Sequence, residues 1–201
     1  MTDLFPGDAG TRLDQDAYIA DFDRRFWHIG DEGFWKLERM QSYDEGDFPS
    51  WQALRRGEWE ESLRLIEGLR PEFQEYYGKI DAAGFVLHRV RVVERPLVPY
   101  IQWELNLLRL KRAYGERVSV LDAEEAARHE ERDRLPELCV LGDEAVYVLD
   151  YSPSGVPNGA VRHTDAATVT RARDLVRRLH SAGEDLETYF PREVAGLPVP
   201  R

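Results

Sequence analysis

Apolar and polar positions alternate between residues 85 and 93. Val86, Val90 and Val92 share one face at a period of two, and Arg89 and Arg91 point to the other. Such a run predicts a half-buried β-strand, which β-branched residues suit. Pro96 ends it, because proline lacks an amide donor and holds Arg95 extended. The period then changes. Tyr100, Trp103, Leu107, Leu110 and Tyr114 recur at three and four, and Ile101, Leu105 and Leu108 widen the stripe. This predicts a helix from about residue 100, covered on more than one side. Gly115 stands where a helix-terminating glycine is expected, and residues 117–121 read as a second strand. Strand, helix and strand of this size form a βαβ unit, with parallel strands and a right-handed crossover.

The same reading extends outward. Residues 1–15 are polar, with proline and glycine, and are expected to be a mobile arm. Tyr18, Phe22, Phe26 and Trp27 predict an amphipathic helix ending near Gly30. The stretch FWKLERMQ at 34–41 fits a strand or a short helix equally well. Ser50 is expected to cap a helix whose first turn holds Trp51. Further helices are predicted over 59–69, with Leu63, Ile66 and Leu69 inward, and over 72–83, opened by Pro71 and closed by Gly84. Beyond the βαβ unit, residues 123–134 alternate acid and base and read as an exposed helix or loop. Leu138–Leu141 and Ala145–Tyr151 predict a hairpin turning at Gly142 and Asp143. A short strand over 160–163 follows. Thr164 or Asp165 then caps a long helix running to about Ala182, with Val169, Ala172, Leu175, Val176 and Leu179 buried. The proline-containing tail, 191–201, is expected to be loose.

The fold class is therefore α/β, with α+β as the alternative. It has a small mixed sheet with a parallel βαβ core, a hairpin, a long C-terminal helix and an N-terminal helical layer. One structural domain is expected, divided into an arm (1–15), the helical layer (16–84), the α/β core (85–190) and the tail.

Composition narrows the function classes. The 201 residues carry a net charge of −11, which disfavours direct nucleic-acid binding and docking on an anionic membrane. The start of the chain lacks the basic and apolar regions of a signal peptide, and no apolar run is long enough to span a bilayer. A cytoplasmic location is expected. The single cysteine, Cys139, lies in an apolar run and reads as a buried core thiol. The five histidines show no metal-ligand spacing, and no phosphate loop or nucleophile elbow is present. No metal, cofactor or catalytic residue is expected.

Two groups of residues stand out as candidate sites. Arg91, Glu94, Arg95, Tyr100, Gln102, Trp103 and Glu104 lie where a strand's carboxyl end meets a helix start, the usual place for ligands in open α/β sheets. Arg95 would anchor an anion there, with Glu94 or Glu104 as its polar neighbour. The competing and preferred reading is structural, with Arg–Glu pairs locking strand to helix and the aromatic residues in the core. Arg162, His163 and Asp165 form a second, weaker group, partly explained by capping. Trp35, Lys36, Arg39 and Trp51, aromatic residues interleaved with charge, suggest a partner interface.

These stretches also carry a resemblance. FWKLER-x-QSYDE at 34–45, RVRVVERPLVPYIQWEL at 89–105, YGERVSVLD at 114–122, LPELCVLGD at 135–143 and GAVRHTD at 159–165 resemble an actinobacterial family of uncharacterised proteins, a domain of unknown function. Members are often encoded beside helix-turn-helix regulators. The resemblance implies a regulatory accessory acting on such a regulator, and carries over no catalytic residue. The order of elements is also similar to half of a phospholipase D-like domain. That family needs His, then Lys two residues on, then Asp. His88 is followed by Arg89 and Val90, and His163 by Thr164 and Asp165, so the resemblance implies an inactive copy. The leading expectation is a non-enzymatic module binding a helix-turn-helix protein. The alternatives are a sensor of a nucleotide or anionic metabolite, and an enzyme using Glu94, Arg95 and His163.

Overall fold

The computed structural model describes residues 4–5, 10–130 and 134–200. Its centre is the βαβ unit. Strand β3, Leu87–Val93, leads into a helix over Pro99–Ala113 and then into a strand over Arg117–Asp122, parallel to β3. Proline at the first helical position favours the start of that helix, since its missing N–H would have had no partner there.

The ambiguous FWKLERMQ stretch is strand β2, Phe34–Glu38, and it pairs parallel with β3. Alternation was a poor guide because the strand is only five residues long, and both of its faces are covered. Its end is set by Glu137, which accepts from the amides of Arg39 and Met40 (2.7 and 2.6 Å) and from the Tyr43 hydroxyl (2.5 Å). The residues before β3 are therefore a helical layer interrupted by a central strand.

Among the described residues the other strands are β1 (Thr11–Leu13), β4 (Arg117–Asp122), β5 (Leu138–Leu141), β6 (Ala145–Tyr151), β7 (Pro157–His163) and β8 (Glu184–Asp185). They form one eight-stranded mixed sheet of order β1-β7-β6-β5-β2-β3-β4-β8. It is larger than the small sheet expected, because β1 and β8 are too short to show a period. Part of the expected arm is thus ordered, with Thr11 opposite Arg162. Residues 1–3 and 6–9 of that arm lie outside the described residues.

Helix α7, Ala166–Ala182, lies against one face of the sheet, and Asp165 caps it by accepting from the Thr168 amide at 3.0 Å. The short α6, Ala123–Ala127, joins it. The opposite face carries α1 (Gln15–Phe26), α2 (Pro49–Arg55), α3 (Trp59–Glu67), α4 (Arg70–Ala83), α5 (Pro99–Ala113) and α8 (Leu186–Glu193).

Three local expectations are corrected. Phe48, not Ser50, is the N-cap of α2. Ser50 is buried in the first turn, where it accepts from the Trp103 indole (2.8 Å) and donates to the Ser62 carbonyl (2.8 Å). The tail begins as α8 with Pro191 inside it, a position that costs a helical hydrogen bond. Burial of Leu186, Tyr189, Phe190 and Val194 against α5 and β4 outweighs that loss. Glu130, expected in solvent, accepts from Arg39 (2.7 Å) and from the Leu135 amide (3.0 Å). Of that charged run, residues 131–133 lie outside the described residues.

Candidate functional site

The two faces of the central strands differ in chemistry. Toward α7, β2 and β3 present Trp35, Leu37, Val90 and Val92, which pack with Val169, Leu175, Val176 and Leu179. Toward α5 they present Lys36, Glu38, Arg89 and Arg91. The register sets Lys36 beside Arg89 and Glu38 beside Arg91. Period-two alternation makes this unavoidable: the residues between the inward apolar ones must point into the other layer.

That layer is built on charge pairs. Arg91, 0% exposed, donates to Glu104 on α5 at 2.5 Å. Arg89 bridges Glu38 (2.6 Å) and Glu116 (2.5 Å), and Glu116 also accepts from the Tyr77 hydroxyl at 2.5 Å. Lys36 holds Glu38 at 2.7 Å. Burial alone would raise the Glu38 carboxyl, but Arg89 and Lys36 outweigh it and hold it well below the usual range. Glu104 goes the other way. Burial first, with the Glu38 charge adding, pushes it up to about 7 against the pull of Arg91.

Beside these pairs a cleft of about 450 Å³ opens between α1 and α4. Tyr18, Phe22 and Phe26 on α1 form one wall, and Phe73, Tyr76 and Tyr77 on α4 form the other. Its floor is Phe34, Lys36, Leu87, Arg89 and Cys139 of the sheet, closed by Lys111 and Glu116 at the end of α5. Exposed Glu72 sits on the rim. Trp27, the C-cap of α1, and Tyr76, midway along α4, are 41% and 37% exposed and meet edge to face at 6.1 Å. The cleft's volume falls in the range of small-molecule sites, and its apolar walls stand over a charged floor. Cys139 is the buried thiol expected. Burial raises its pKa, so it is not a poised thiolate.

The residues singled out from sequence are dispersed by the fold. Arg91, Tyr100, Trp103 and Glu104 are interior, and Gln102 donates to the Leu97 carbonyl at 3.2 Å. Glu94 pairs with Arg39 at 2.8 Å and Arg134 at 3.4 Å. Arg95 is exposed and already engaged by Asp122 (3.3 Å), Glu193 (2.6 Å) and the Tyr189 hydroxyl (3.3 Å). A second cavity of about 380 Å³ does lie at the carboxyl ends of β3 and β4, but Glu94, Asp122 and Glu124 line it with Arg95 alone. Its acidic lining disfavours the expected anion. Arg162 and His163 are on β7, with β6, β5 and β2 between them and β3. Arg162 holds Asp21 at 2.9 Å, and His163 stacks on Phe5 at 4.5 Å. No single cleft gathers Glu94, Arg95 and His163, so the enzyme reading loses its constellation.

The suggested interface residues are also largely interior. Trp35 stacks on His88 at 3.8 Å, Arg39 is buried against Glu94 and Glu130, and Trp51 packs on Tyr100 and Trp103. Only Lys36 among them reaches the cleft. Sequence reading missed Tyr18, Phe22, Phe73, Tyr76, Lys111 and Glu116. The available signal was the pair of adjacent strands that each carry two charges on one face.

Fold and site together define a mixed α/β protein with a dry layer on one face of its sheet and an aromatic-walled, charge-floored cleft on the other. The chain belongs to the family described as "Domain of unknown function (DUF6879)", whose model matches residues 20–191. No curated protein and no solved structure matches it. Among the described residues no helix is long and apolar enough to cross a membrane, and no three His, Cys, Asp or Glu side chains are grouped to hold a metal ion.

Proposed function

We propose that this protein is a small-molecule-binding module and that the cleft between α1 and α4 is its binding site. The observation that carries the proposal is the cleft's construction, with an aromatic wall from each helix over a floor of fixed charges. A preformed site of this kind binds by covering an apolar ligand body and placing a few polar groups at its ends. Of the functions expected from sequence, a sensor of a small metabolite fits this construction best, though at a different place on the sheet. The role of accessory to a helix-turn-helix regulator is proposed as the setting in which occupancy is read out. Trp35, Arg39 and Trp51 do not supply the docking face for it.

The test is mass spectrometry of the protein purified from its own host under native conditions, followed by thermal-shift screening of nucleotides and aromatic acids. A co-purifying small molecule, or a ligand that raises the melting temperature in wild type and less so in Tyr76→Ala, supports the proposal. Tyr76 is on the exposed rim, so its loss leaves the core intact. Stabilisation unchanged by Tyr76→Ala would place the ligand elsewhere.

A further inference from the structure

We propose that the cleft takes a planar, largely apolar molecule bearing one anionic group, with the Lys111 ammonium as the partner of that group. This rests on the cleft being the binding site and adds the chemical class of its ligand.

The argument is a charge balance. Lys36, Arg89 and Lys111 are the cations of the cleft. The carboxylates held against them are Glu38 and Glu116. Three cations and two carboxylates leave one positive charge in excess, inside a chain whose net charge is −11. Arg91 and Glu104 pair with each other and do not line the cleft. Glu72 is on the rim in water, where its charge is screened.

The excess can be assigned to one atom. The Lys36 Nζ is fixed on Glu38, and the Arg89 Nε and Nη1 are fixed on Glu116 and Glu38. The Lys111 Nζ has no hydrogen-bond or ion-pair partner among the described residues. Glu116 attracts this ammonium from a distance without forming an ion pair with it, so the position of a close counter-ion is open. Burial, with Arg89 beside it, outweighs the pull of Glu116 and lowers the Lys111 pKa. An incoming anion would relieve both effects.

The rest of the cleft fixes the ligand's other end. Phe22 and Phe26 stand on one wall and Phe73 and Tyr76 on the other, surfaces suited to a flat ring system. The Tyr18 hydroxyl, which donates to the Cys139 sulfur at 4.0 Å, can accept one further hydrogen bond. One free cation matches one anionic group. It does not match a nucleoside triphosphate, whose several charges would meet Glu38 and Glu116 unpaired.

A matched pair of fluorescent probes tests this. Anilinonaphthalene sulfonate and N-phenylnaphthylamine share a ring system and differ by one sulfonate. Each is titrated into the full chain, with melting curves confirming that every variant is folded. The sulfonate is expected to bind about ten- to a hundredfold more tightly than the neutral amine, the range for a hydrogen bond to a charged group. Lys111→Met is expected to abolish that preference while leaving the neutral probe's affinity within about twofold. Lys111→Arg is expected to keep it, and Lys111→Gln gives the same answer as methionine should that variant not fold. Equal affinity for the two probes, or tight sulfonate binding that survives Lys111→Met, overturns the assignment while leaving the cleft as a binding site. Failure of both probes to bind overturns the cleft reading and this inference with it.

Discussion

The sheet's two faces solve the same packing problem in opposite ways. Toward α7, Leu37, Val90, Val92, Leu138 and Val140 meet Val169, Val176 and Leu179, and the layer needs only shape and volume. Toward α5, two of these strands, β2 and β3, put Glu38, Arg89 and Arg91 under a helix that answers with Glu104. Each charge there must be desolvated, and its partner recovers only part of that cost. A protein needing nothing but a stable sheet has no use for the second solution. On the proposed reading, the α5 face is specified for the cleft beside it as well as for stability.

The largest effect comes from breaking the Arg91–Glu104 pair. Arg91→Met leaves the buried Glu104 carboxyl without its partner, to be protonated or held as an unpaired charge, and is expected to cost about 3 kcal/mol in denaturant unfolding at pH 7 or above. Replacing both, Arg91→Met with Glu104→Met, is expected to restore most of that loss or exceed wild type, because apolar pairs of similar volume often match buried ion pairs. If the double variant were as unstable as the single one, the α5 face would be held by its charges, and the contrast between the faces would lose its functional meaning.

The dry face carries its own titratable element. His88 sits among the valines of β3, stacked on Trp35 at 3.8 Å, with His180 at 5.6 Å. Burial first, then the charges of His180 and Arg117, lowers its pKa to about 4. The unfolded chain's histidine titrates near 6.5, so between about 6.5 and 4 the unfolded state binds the proton and the native state does not. The stability present above pH 6.5 is therefore lost as the pH falls through that window. The loss is on the order of 1–2 kcal/mol, below the full conversion of the shift because the ring is partly solvated. His88→Gln is expected to flatten this slope relative to wild type when melting is followed from pH 7 to pH 4. An unchanged slope would mean that another group, such as His180, carries it.

Much of the fold was legible in the chain, and for identifiable reasons. The βαβ unit, the hairpin and α7 each show a long run of one period bounded by a proline, glycine or cap, and each formed near its expected position. β2 was ambiguous because its five residues are too few for alternation to be told from a short helical stripe. The short β1 and β8 have too few residues for a period to appear. The cleft was harder still. Phe22, Phe73 and Lys111 belong to three different helices, and each reads locally as part of an amphipathic stripe or as a solvated charge. Only the strand register, which sets Lys36 beside Arg89, and the placing of α1 and α4 over them bring these residues together. Single-sequence periodicity holds no information of that kind.

The smallest effect belongs to the residue that the sequence made most prominent. Arg95 lies at the carboxyl end of β3, and its contacts to Asp122, Glu193 and Tyr189 are at the surface. Exposed pairs contribute little, since water and salt screen them and two long side chains lose freedom. Arg95→Ala is expected to change stability by no more than about 1 kcal/mol. It is also expected to leave binding of the sulfonate probe unchanged, because the acidic cavity beside it is not the cleft. The measurement is a denaturant titration paired with a probe titration on the same sample. A large loss of probe affinity in Arg95→Ala would move the site to the ends of the parallel strands. The charge layer under α5 would then need a purely structural explanation.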